Sequence, residues 1–109
     1  MASKRFPCPY LGRDVEFGEE RAGHIAESHP DLLPEHLSRV EETLAAPDEV
    51  RLSARSPRAR LFSRRYDSLG GRHVVVVVMG DAPPSTRRWI VTAYFARRLA
   101  PGAVEWKRN

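Results

Sequence analysis

At Pro47 the hydrophobic pattern of the chain changes period, and that switch most constrains what it can fold into. Before it, apolar positions recur at helical spacing: Ala22, Ile25, Ala26 and His29, then Leu37, Val40 and Leu44. After it, "ARLFSRRY" and "RRWIVTAYF" alternate at period two on either side of the β-branched run "RHVVVVVM". Acids open the first helix and Pro30 closes it, while Pro34 suits the first turn of the second and Pro47 stops it. The spacing predicts helices over 18–29 and 34–46, then strands over 50–54, 59–66, 72–79 and 87–95. The turn-forming links "DSLGG" and "GDAPPST" are short, which makes those strands an antiparallel meander. The expected class is therefore α+β, with two N-terminal helices packed on one face of a four-stranded antiparallel β-meander. Residues 1–17 read as an extended N-terminal arm or hairpin, and a short edge strand can form around Val104 and Trp106. With 109 residues, the whole is one domain.

Side-chain parity assigns faces to these strands. In the last of them Trp89, Val91, Ala93 and Phe95 share the core side, and Ile90, Thr92 and Tyr94 share the other. In "ARLFSRRY", burying Leu61 and Ser63 avoids the cost of burying two arginines. That choice leaves Arg60, Phe62, Arg64 and Tyr66 together on an open face, with Thr92 and Tyr94 beside them. The valine run is apolar on both sides, so part of this face is expected to be covered, by the N-terminal arm or by a partner. Charge is divided unevenly. Residues 1–49 hold 11 acids and 5 bases, whereas residues 50–109 hold 3 acids and 13 bases, nearly all arginine. Arginines concentrated with aromatics on one sheet face suit RNA, with cations for phosphates and rings for bases.

Several classes are excluded on the same grounds. Val74 to Met79 is the longest apolar stretch, too short to span a bilayer, and no apolar run follows the charges of "MASKRFPCPY". No membrane partner is expected, and the expected location is cytoplasmic. Cys8 is the only cysteine, which rules out an internal disulfide and a cysteine-built zinc site. His24 and His29 are five positions apart, so on a helix they point ~140° apart, unlike the i, i+4 pair of helical zinc sites. Neither a metal nor a cofactor is expected.

The two histidines differ in setting. His29 lies on the apolar stripe beside Pro30 and is expected to hold the helix end by packing and by bonding last-turn carbonyls. His24 borders the stripe, where a helix on a sheet meets the rim of a cleft, and is the better candidate for proton transfer. His36 and His73 read as ordinary surface and strand residues.

Taken in order, "HIAESHPDL", "VEETLAAPDEV", "ARLFSRRY", "VVVVVMG", "WIVTAYF" and "PGAVEW" resemble the phage and polymorphic-toxin branch of the barnase–EndoU–colicin–RelE ribonuclease superfamily. The resemblance runs from about Tyr10 to Trp106. It implies a metal-independent endoribonuclease of bacterial or phage origin that cleaves RNA by attack of the 2′-hydroxyl, and leaves active toxin, phage enzyme and inactive remnant open. The implied cleft residues are His24, an arginine of "SRRY", Thr92 and Tyr94. The match does not choose between Arg64 and Arg65, though parity favours Arg64. The second proton carrier is His29, Tyr94 or Glu27. Arg60, Phe62, Arg65 and Tyr66 would bind RNA, and an acidic antitoxin or immunity protein would be the natural partner. The alternative is a non-catalytic RNA-binding or protein-interaction module on the same fold.

Overall fold

A computed structural model of the chain describes residues 4–108. It contains strands β1 (Lys4–Cys8) and β2 (Arg13–Phe17), helices α1 (Glu19–Ser28) and α2 (Leu37–Ala45), and five further strands. These are β3 (Glu49–Leu52), β4 (Ala59–Tyr66), β5 (Arg72–Gly80), β6 (Arg88–Ala96) and β7 (Val104–Lys107). All the strands join one sheet in the order β1-β2-β6-β5-β4-β3-β7, with every pair antiparallel except β2 and β6. The expected four-stranded antiparallel meander is thus overturned in favour of a seven-stranded mixed sheet.

The added strands have a physical origin in burial. Phe6, Cys8, Val15 and Phe17 alternate along the N-terminal segment, and all four are buried in the main core. The segment folds as a hairpin at Gly12, whose φ of 69° suits glycine and whose N–H donates to the Cys8 carbonyl. Its second strand then extends the sheet beside β6, which a parity argument confined to the second half of the chain could not reveal.

Both helices cover one face of the sheet, α1 against β6 and α2 against β4, β5 and β1. Ile25 is the buried residue of α1, and Val40, Thr43 and Leu44 are those of α2. The second helix starts at Leu37, three residues after the expected Pro34. Residues 30–36 form turns that bury the adjacent Leu32 and Leu33.

The expected faces are corrected at two places. On β4, Phe62 and Tyr66 lie under the helices in the core, at 0% and 7% exposure. The arginines that share their parity avoid the cost of burial by reaching the rim. Arg60 pairs with Glu105 at 2.7 Å, and Arg64 donates to the Ala46 carbonyl at 2.7 Å. On β6, the pairing shifts at Val91, so that Val77 faces Thr92 but Val78 faces Ile90. One extra residue in a strand reverses parity beyond it. Ile90 therefore joins Ala93 in the core, and Thr92 and Tyr94 line a groove on the opposite face.

That opposite face is covered in part by the chain itself. Residues 97–103 connect β6 to β7 past β5, β4 and β3, and are tied down where Arg51 donates to the Ala100 carbonyl at 2.9 Å. Ala100 and Pro101 of this crossover stand beside Leu61 and Val77, and Leu61 is buried. The cover expected from the N-terminal arm forms on the Phe62 side, where Phe6, Val15 and Tyr10 pack with the helices on the core, and the crossover stands on the other side.

Candidate functional site

What the crossover leaves uncovered is a groove of about 520 Å³ on the sheet face away from the helices. Its floor includes Leu61, Val77, Thr92 and Tyr94, and its walls are the β3–β4 loop, with Arg55, and the crossover at Pro101. Thr92 and Tyr94 point into it because strand alternation sets them opposite the buried Ala93, while the bulge at Val91 returns Ile90 to the core. Burial raises the Tyr94 phenol above its ordinary value, with Arg55 opposing the shift. Tyr94 therefore keeps its proton across the physiological range.

His29 reaches Tyr94. Helix α1 ends at Ser28, and His29 leaves it with φ −132° and ψ 66°, its N–H still donating to the Ile25 carbonyl at 2.7 Å. The turn out of the helix carries the imidazole to the β6 side, where its ring centre lies 5.9 Å from that of Tyr94. Beyond the single parallel contact of Glu16 with Trp89, β2 does not pair with β6. The edge of β6 near Tyr94 is thus left to the end of α1.

His24 faces elsewhere. Its side chain is 61% exposed, 3.7 Å from Glu20, in a separate cleft with Arg21, Arg87 and Trp89. The expected grouping of His24 with Thr92 and Tyr94 does not form in one cavity.

The arginines and rings of β4 are engaged internally. Arg39 and Arg64 both lie over the Tyr66 ring, at 5.0 and 5.6 Å from its centre. The Tyr66 hydroxyl donates to Glu42 at 2.7 Å, and burial together with that carboxylate pushes its pKa up to about 12. The same hydrogen bond holds Glu42 below the usual carboxylate range. Phe62 packs edge-on against Tyr10 in the core. Phe62 and Tyr66 are thus closed to a stacking base, and Arg60 is committed to Glu105. Arg65 is exposed and pairs with Asp67 at 3.4 Å.

Arg55, Ser53 and Ser56 line the groove and were not singled out in the sequence. The signal was present in "RLSARSPRAR", a cationic, serine-containing link between two strands, but nothing local shows that it overhangs the sheet. Among the described residues no three His, Cys, Asp or Glu side chains gather as a metal cluster, and no helix is long and apolar enough to cross a membrane. Comparison with protein-family models, with curated proteins and with solved structures returned no match.

Proposed function

We propose that the protein cleaves RNA by 2′-hydroxyl attack in this groove, as the resemblance to the barnase–EndoU–colicin–RelE superfamily suggested. The observation that carries the reading is the approach of the His29 ring, from outside the groove lining, to Tyr94, which lines the groove with Thr92 and Arg55. Cleavage of this kind needs a base, an acid and a cation for the phosphorane. His29 accepts the 2′-hydroxyl proton as the 2′-oxygen bonds to phosphorus. The bond from phosphorus to the 5′-oxygen breaks, and Tyr94, held protonated by burial, gives that oxygen its proton. Arg55 offsets the charge gathering on the phosphorane, and the Thr92 hydroxyl donates a hydrogen bond to it. The products are a 2′,3′-cyclic phosphate and a 5′-hydroxyl, and proton exchange with solvent restores both side chains. In this reading His29 takes the proton-transfer role expected of His24.

A second reading, RNA binding without turnover, is favoured by one observation: the cations of β4 that were expected in the cleft are bonded to Glu105 and Ala46. One assay separates the two. Purified protein is incubated with total RNA in EDTA, and the fragments are examined for 2′,3′-cyclic phosphate ends. Such ends are the expected result. Retention of intact RNA, with no fragments at any enzyme concentration, would favour the binding module.

A further inference from the structure

One end of the sheet, where β4 and β6 begin and β5 stops, gathers cations that the groove does not use. A cleft of about 520 Å³ there is lined by Arg5, Arg13, Arg87 and Arg88, together with the hydroxyl residues Ser85 and Thr86. A smaller cleft shares Arg88 with it and adds Arg58. The cleft of His24 shares Arg87 and adds Arg21. The three adjoin through shared residues and form one continuous belt.

Two features distinguish these arginines from ordinary surface charges. The first is how they are held. Arg13 donates to the Thr86 carbonyl at 2.9 Å, and Arg88 to the Arg87 carbonyl at 2.9 Å. A carbonyl orients a guanidinium without neutralising it, so the charge stays available and less side-chain freedom is lost on binding. The second is pairing. Asp14, Glu16, Glu20 and Asp81 line the same clefts, yet of these six arginines only Arg87 forms an ion pair among the described residues, with Glu16 at 3.2 Å; Arg60, which also lines the smaller cleft, is paired with Glu105 and is left out of the belt. Arg5, Arg13, Arg21, Arg58 and Arg88 have no carboxylate partner among the described residues.

The belt also adjoins the groove. Arg55 on the groove and Arg58 on the belt belong to one loop, and Met79 and Gly80 are successive residues lining the one and the other. A chain leaving the groove past Arg55 meets Arg58, then Arg88, then Arg13 and Arg5. We infer that this belt holds the phosphates of a single-stranded nucleic acid whose reacting nucleotide lies in the groove. The inference rests on the RNA-cleavage reading for the identity of the strand. It replaces β4, whose Arg60 and Arg64 are engaged internally, as the electrostatic footprint.

The test uses a fluorescent single-stranded 2′-deoxy oligonucleotide, which carries the phosphates but cannot be cut by 2′-hydroxyl attack. Its binding is followed by anisotropy across a salt titration. Arg5→Ala with Arg58→Ala is the primary variant, because neither side chain makes a hydrogen bond or ion pair among the described residues. Arg97→Ala with Arg98→Ala, at the other end of the sheet, removes the same charge. The belt variant should bind about tenfold more weakly, and its salt slope should fall by about 1.4, for two lost phosphate contacts. The control should bind nearly as the wild type does. Equal weakening of both variants would reduce the belt to net charge and overturn the inference, as would an unaffected belt variant or a wild type that does not bind. Cleavage of RNA by the wild type is scored separately. If RNA is cut while the belt variant binds normally, the belt fails and the nuclease reading stands. If the belt variant loses binding while RNA is never cut, the belt stands and the nuclease reading fails.

Discussion

His29 and His24 are five residues apart, yet they serve different surfaces because the helix ends between them and redirects the second ring. A histidine on the apolar stripe of a helix ordinarily packs, and while the backbone stays helical His29 would have done so. Its departure at ψ 66° brings it to Tyr94 instead. His29→Ala should therefore lower the cleavage rate by ~10²–10⁴-fold, the usual contribution of a positioned acid or base, with the melting temperature little changed. His24→Ala, on an exposed side chain in another cleft, should cut RNA at the wild-type rate. The reverse outcome, measured on purified folded variants, would return the proton-transfer role to His24.

At the scale of the elements, β4 and β6 show how a correct strand can carry a wrong face. The segment "ARLFSRRY" forms a strand over the expected residues, and its alternation is real. Local pattern does not say which of its two sides the helices cover. Burial of two arginines would argue against the side with Phe62 only if those arginines had no rim to reach. Arg60 and Arg64 do reach one, at Glu105 and at the Ala46 carbonyl. Phe62→Ala should consequently cost about 3–5 kcal/mol in denaturant unfolding, the penalty of truncating a fully buried ring. A loss below about 1 kcal/mol would instead describe an exposed aromatic. On β6 the extra residue at Val91 reverses the register from one half of the strand to the other, which allows Ile90 and Ala93 to be buried on the same side.

At the scale of the whole molecule, the sheet coils until its two ends meet. Tyr10, in the turn after the edge strand β1, donates to Glu105 on the opposite edge strand at 2.5 Å, and its ring lies 6.0 Å from that of Trp106. Arg60 completes this clasp and, with Tyr10, holds Glu105 below the usual carboxylate range. A carboxylate whose folded pKa is depressed stabilises the fold above its unfolded value, and the contribution fades as pH falls through the folded pKa. Glu105→Gln should thus lower stability by about 1 kcal/mol near neutral pH, a deficit that shrinks below about pH 4 as the wild type loses its charge. Thermal melts of both proteins from pH 3 to 7 measure it, and a pH-independent difference would mean that the clasp works by packing alone. The period switch at Pro47 determined by itself that helices precede a strand-rich half, and where β4 and β5 run, because periodicity is a local property of adjacent residues. The sheet's seven strands, its single parallel contact, the covered side of β4 and the meeting of His29 with Tyr94 were decided only in three dimensions. Each depends on residues distant in the chain, such as Tyr10 and Glu105, or on a one-residue bulge that inverts every face beyond it.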